Sequence, residues 1–295
     1  MHDLKDLHEL DTVVPAQESD NFRPPMVGDS FGGDWRVEKI IHQTNVSSVS
    51  VLERQGVRLA LKVVRPSFVE ICPEFPVANE AHIMLAYGEA SGLPRLYKAW
   101  ERDDRLFLVM QYIGGESLKE YLDRQPRPLP VSTIVWILRS ILERVRYLHS
   151  LPRPILHLDI KKIQIKIWRE RVWLLDFGLA VHKDGPRWQP PPGCFCGAVG
   201  YVAPEHLRAA RNIMDERADV FAIGVIGYLL VAGRKAPPKT GWPLPSCAPL
   251  PFIEDMKGLP HGMNGLIRLV NRAVASDPEE RISSAEEFLA ELGKL

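Results

Sequence analysis

The chain has 295 residues, 45% of them hydrophobic and 25% charged, which suffices for a large folded core and excludes a wholly disordered polypeptide. Its 37 basic and 37 acidic residues cancel, so no global field draws it to nucleic acid or to an anionic membrane. The longest apolar run, residues 220–232, contains two glycines and is too short to span a bilayer; it reads as a buried core helix.

Residues 1–33 form a polar tail ahead of a domain expected over 34–295. The opening MHDLKDLHELD has no basic region followed by an apolar stretch, so no signal peptide is expected and the compartment predicted is the cytoplasm. Leu4, Leu7 and Leu10 give the tail a weak apolar edge; a frayed end is favoured over a docking helix. Cys72, Cys194, Cys196 and Cys247 show no disulfide framework, and the Cys-x-Cys pair lacks a second pair to complete a metal site. Free thiols of a reducing compartment are expected.

From Trp35 the pattern is strand-like. Segments 36–41, 49–53 and 59–64 are short and aliphatic, with a turn at Gln55-Gly56 before the third. Residues 76–87 are the helical interruption, with Ala78, Ala81, Ile83, Met84 and Leu85 as its apolar set. Strands resume at 96–100 and 106–110, joined by Asp103-Asp104. After Gly114-Gly115 the period changes: Ile134, Ile137, Leu138, Ile141, Val145 and Leu148 mark a long amphipathic helix. Two short strands at 165–168 and 172–175 precede helices that run to the end. Ser284 with Glu287 predicts a capping box for the last helix, and six prolines in residues 237–251 predict a loop. The fold class is α+β, in two lobes: a small antiparallel β-sheet lobe with one helix, about 34–113, and a larger, mainly α-helical lobe, about 114–295. The hinge falls near residues 111–115.

Candidate chemistry clusters at a few polar residues in apolar settings. Lys62 lies in Ala60-Leu61-Lys62-Val63-Val64, a strand built for burial, where a lysine must be paired to stay charged. Glu80 on the following helix is the natural partner; taken alone, Lys62 reads equally as a solvent-facing lysine on an edge strand. His157-Leu158-Asp159-Ile160-Lys161 precedes one short strand, and Leu174-Leu175-Asp176-Phe177-Gly178 closes the next. A lone Asp before Gly commonly starts a turn. Two carboxylates delivered by one hairpin, with a paired lysine upstream, instead suit phosphoryl transfer, which needs cations on phosphates, one carboxylate for a metal and another for the nucleophile.

These residues resemble, in order, the motifs of the protein kinase family over about 260 residues. Ala60-Leu61-Lys62 resembles the nucleotide-binding lysine motif, and Glu80 its helix partner. Residues 108–112 look like the hinge, with Met110 behind the adenine pocket and Gln111 and Tyr112 beside it. His157-Leu158-Asp159 stands at the catalytic loop and Asp176-Phe177-Gly178 at the metal-binding motif. Ala203-Pro204-Glu205 resembles the end of the activation segment. The segment at Asp219 looks like the buried helix that anchors the catalytic loop, and Arg281 the partner of Glu205. The resemblance implies ATP and Mg2+ as cofactors, with Asp159 and Lys161 catalytic and Asp176 and Gln164 on the metal. It also implies ATP contacts from Ile41, Thr44, Ser47, Val49, Ala60, Lys62, Glu80, Met110, Gln111 and Tyr112.

The pattern breaks in places. His42, Thr44 and Ser47 stand where the family has the three glycines that let backbone amides approach phosphates. The Thr44 and Ser47 hydroxyls offer alternative donors. Gln164 replaces an asparagine that holds the second metal, moving the amide by about 1.5 Å. Leu158 replaces an arginine that pairs with a phosphorylated activation loop, Ala198 replaces a threonine, and residues 179–200 contain no Ser, Thr or Tyr. The expected function is ATP-dependent phosphoryl transfer to protein Ser/Thr hydroxyls, uncontrolled by activation-loop phosphorylation. The alternative is a pseudokinase serving as a nucleotide-sensing or scaffold module. A small-molecule phosphotransferase is the third reading, disfavoured by the Ala203-Pro204-Glu205, Asp219 and Arg281 set. Expected partners are ATP and a protein substrate or binding partner, with neither nucleic acid nor membrane.

Overall fold

A computed structural model describes residues 25–31, 33–44, 47–64, 79–90, 92–102, 105–185, 197–198, 200–207, 215–232 and 263–295. The leucines of the tail, all four cysteines, the proline-rich stretch 237–251 and most of segment 179–200 lie outside these residues. Two compact units emerge: the described parts of Met1–Ala90 with Pro94–Ile113, and those of Ser91–Leu93 with Gly114–Leu295.

The first unit is a six-stranded antiparallel sheet: β1 (Ser30–Phe31), β2 (Trp35–Gln43), β3 (Ser47–Arg54), β4 (Val57–Val64), β5 (Leu96–Arg102) and β6 (Arg105–Gln111), in the order β1-β2-β3-β4-β6-β5. The sheet starts at Ser30, ahead of residue 34, the expected start of the domain. Phe31 is buried against Phe107 and its cluster, which the polar residues around it conceal in the sequence. Side chains alternate across a strand. Leu59, Leu61 and Val63 of β4 therefore join Trp35, Val37, Leu52, Phe107 and Val109 on one face, while Ala60, Lys62 and Val64 take the other. Against that second face lies a smaller cluster of Ala81, Leu106 and Leu108, with Val64, Leu96 and Met110 packed around it. Ala81 comes from α1 (Asn79–Tyr87), whose expected first turn falls outside the described residues.

The second unit is mainly helical. It contains β7 (Glu116–Ser117), α2 (Leu118–Arg124), α3 (Val131–His149), β8 (Ile155–Leu156), β9 (Ile165–Trp168), β10 (Arg171–Leu174), β11 (Val181–His182), α4 (Pro204–Leu207), α5 (Glu216–Ala232), α6 (Asn264–Ala273) and α7 (Ala285–Leu292). All six apolar positions anticipated for α3 are buried. Helix α5 is apolar around its whole circumference and is buried along nearly all its length. Gly224 and Gly227 face Ala273 and Val270 of α6 so closely that a Cβ on either would come within 3.0 Å of that helix's atoms.

Helix starts follow capping chemistry. At α2 the Ser117 side chain accepts from the Glu120 amide while the Glu120 carboxylate accepts from the Ser117 amide, a reciprocal capping box with the same Ser-x-x-Glu spacing as Ser284 and Glu287. At α7 only half of the expected box forms. Ser284 accepts from the Glu287 amide, but Glu287 turns back to the Ser283 amide and hydroxyl, an equally placed pair of donors one residue earlier.

Candidate active site

In the first unit, antiparallel register sets Ala60 opposite Met110, and Lys62 opposite Val49 on one side and Leu108 on the other. Lys62 leaves the sheet on the α1 face, where its Nζ lies 2.7 Å from Glu80 Oε2, with both side chains nearly sequestered from solvent. Burial penalises each charge alone, so each needs the other, and the pair fixes α1 to the central strand. The alternative of a solvent-facing lysine is thereby removed. Met110 packs in the cluster that holds Ala81 of α1. The Gln111 amide donates to the Arg95 carbonyl and is thus committed to the sheet, and Lys39 lies 5.6 Å from the centre of the Tyr112 ring. Ile41, by contrast, leaves 44% of its surface in water, an apolar side chain without a cover.

The loop that lacks glycines closes on itself. The Thr44 amide and hydroxyl both donate to the Ser47 carbonyl, at 2.8 and 3.2 Å, and the Thr44 hydroxyl accepts from the Ser47 amide at 3.0 Å. A hydroxyl engaged this way is an internal strap rather than a free phosphate donor.

In the second unit, Asp159, Lys161, Gln164 and Asp176 come together. Asp159 Oδ2 accepts from Lys161 Nζ at 2.7 Å and from Gln164 Nε2 at 2.9 Å, and the same Nε2 donates to Asp176 Oδ2 at 2.6 Å. Asp159 Oδ1 and Gln164 Oε1 are buried without a protein partner. Two orphan acceptors beside a pair of carboxylates are what a hydroxyl donor and a cation would satisfy. No group of three or more His, Cys, Asp or Glu residues able to hold a metal occurs among the described residues, so an ion here would draw other oxygens from phosphate and water, as magnesium usually does.

The loop is shaped by a buried carboxylate. Asp219 of α5 accepts the amides of His157 and Leu158, each at 2.8 Å, and the His149 ring at 2.9 Å. Burial by itself raises the Asp219 pKa; the His149 and His157 interactions outweigh it and hold the carboxyl below its ordinary range. His149, at the end of α3, was not singled out from the sequence, since one histidine past the last apolar position of a helix carries no local signal. Leu158 is thereby held at φ 61° and Asp176 sits at φ 67°, conformations that non-glycine residues avoid. The Leu158 side chain packs beside Ala203, Ala218, Phe221 and Val225. Phe177 is fully buried, its ring 4.8 Å from that of His157. The Arg281 guanidinium meets Glu205 through two bonds of 2.7 and 2.9 Å, donates to the Ala275 and Arg217 carbonyls, and lies over the Phe221 ring. That pair, 76 residues apart in sequence, is where the motif order places it.

Comparison with known proteins agrees with this geometry. The protein kinase domain profile matches residues 36–291. Serine/threonine-protein kinase pkn3 of Myxococcus xanthus is 27% identical, over 90% of this chain and 50% of its own length. The pkn2 kinase of the same organism is 32% identical over 71% of this chain and 26% of its own. The chain thus spans half or less of these relatives. The crystal structure of the Mycobacterium tuberculosis PknI kinase domain superposes with a TM-score of 0.67 at 24% identity, covering 91% of this chain and 98% of that one. The chain belongs to the protein kinase family, and its two units are the sheet lobe and the helical lobe of that fold. Among the described residues no helix is long and apolar enough to cross a membrane.

Proposed function

We propose that this chain transfers the terminal phosphoryl group of ATP to serine or threonine hydroxyls of proteins. The observation that carries the reading is the cluster in which Lys161, Gln164 and Asp176 all lie within one or two hydrogen bonds of Asp159. In this reading the orphan Oδ1 of Asp159 accepts the proton of the attacking hydroxyl, and Lys161 offsets charge on the transferred group. Asp176 is the residue suited to hold Mg2+, which when bound would neutralise phosphate charge, while the Gln164 amide turns its nitrogen rather than its oxygen toward Asp176. Lys62, held by Glu80, binds the α- and β-phosphates. Ile41 and Val49 cover the adenine, with Ala60 and Met110 lining its other sides and residues 111–112 at its edge. Thr44 and Ser47 shape the loop over the phosphates through its backbone.

Transfer independent of activation-loop phosphate is part of the proposal. Leu158, where an arginine would receive a phosphate, is committed to an apolar cluster; Ala198 has no hydroxyl; and residues 179–200 contain no Ser, Thr or Tyr. The second reading, a pseudokinase that binds nucleotide without transfer, is favoured by one observation: the Gln164 amide presents nitrogen, not oxygen, to both carboxylates. Labelled ATP with a generic basic protein and Mg2+ separates the two. Transfer that disappears in Asp159→Asn and survives phosphatase treatment supports the kinase; nucleotide binding without transfer supports the scaffold.

A further inference from the structure

Gln164 sits where an ordinary ligand for a second metal is expected, yet its geometry is that of a clamp. An amide nitrogen carries two protons. Both are spent here, one on Asp159 Oδ2 at 2.9 Å and one on Asp176 Oδ2 at 2.6 Å. The carbonyl oxygen is therefore turned away from both carboxylates, and it is buried with no protein partner. Inverting the amide would set Oε1 against two carboxylate oxygens, a clash of acceptors that only a cation between them would offset. The extra methylene of glutamine gives the nitrogen the reach to touch both acids at once.

We propose that Gln164 makes this a one-ion site: its amide straps Asp159 to Asp176 and takes the place that a second divalent cation would occupy. The partial positive charge of the NH2 group screens the two carboxylates from each other, a task otherwise left to the metal. A single divalent ion then enters with the nucleotide, on the Asp176 side. The inference rests on the nucleotide-binding reading above, and its test separates the two.

The full chain is saturated with a non-hydrolysable ATP analogue and titrated with Mn2+, the free ion being followed by its electron paramagnetic resonance signal and the bound nucleotide by calorimetry. One Mn2+ per bound nucleotide is expected for the natural protein, and two for Gln164→Asn, whose shorter side chain cannot bridge both acids. Two ions on the natural protein overturn the strap, as does a Gln164→Asn variant that binds nucleotide yet stays at one. Should the variant not fold, the count on the natural protein decides alone. Failure of the analogue to bind at any Mn2+ concentration overturns the functional reading, and the one-ion site with it.

Discussion

Leu158 is where residue chemistry and backbone strain meet. A leucine at φ 61° bears a penalty of about 1–2 kcal/mol that glycine escapes. It persists because Asp219 accepts the consecutive amides of His157 and Leu158 and because the side chain packs on the cluster that holds Ala203 and Phe221. Leu158→Ala loses the packing and keeps the strain, whereas Leu158→Gly loses the packing and sheds it. Urea denaturation is therefore expected to rank Gly above Ala by about 1 kcal/mol, the reverse of the usual order. Ala as the more stable variant would show that the left-handed conformation is not occupied.

Between elements, close approach and paired charge set the large unit's stability. A Cβ at Gly224 would stand 2.8 Å from the Ala273 Cβ and 2.9 Å from its carbonyl carbon, and neither of these can swing aside. Gly224→Ala should cost about 1–3 kcal/mol despite alanine's better helix propensity. Gly293→Ala, whose Cβ would meet only ordinary contacts, should stay within about 0.5 kcal/mol of the natural protein in the same melts. The Glu205–Arg281 pair ties α4 to the turn before α7 and is almost wholly shielded from water. Arg281→Ala strands a buried carboxylate and should lower stability by about 3–5 kcal/mol, a large part of a typical domain's total. Arg281→Lys keeps the charge but not the two-pronged geometry and should fall between. An Arg281→Ala urea midpoint equal to that of the natural protein would mean the pair is solvated in solution.

Across the whole molecule, acid stability should follow Asp219. Its folded pKa lies below the ordinary value, so the unfolded chain binds the proton more readily. The stabilisation is fully present above about pH 4, the ordinary aspartate range, and is lost as pH falls through the lower folded value. Asp219→Asn removes that dependence. It should be weaker than the natural protein at pH 7 and lose less further stability between about pH 5 and 3. Parallel pH slopes for the two proteins in denaturation curves would assign acid sensitivity to other carboxylates.

Local pattern alone determined a good deal here. Alternation placed β2 to β6 within a few residues, helical period marked the buried face of α3, and polar residues in apolar settings singled out Lys62, Glu80, Asp159 and Asp176, to which the resemblance to the protein kinase family added Glu205 and Arg281. These are legible because burial forces each charged group to sit at a fixed phase of its element and to have a partner. The roles of His149 and Phe31 were not legible, since both depend on chain that is remote in sequence: Asp219 for the first, Phe107 for the second. Nor could spacing show which end of the Gln164 amide faces the acids, or that the Thr44 hydroxyl is spent on Ser47. Hydrogen-bond direction is set by every donor and acceptor that folding brings within about 3 Å, and only the tertiary structure assembles that set.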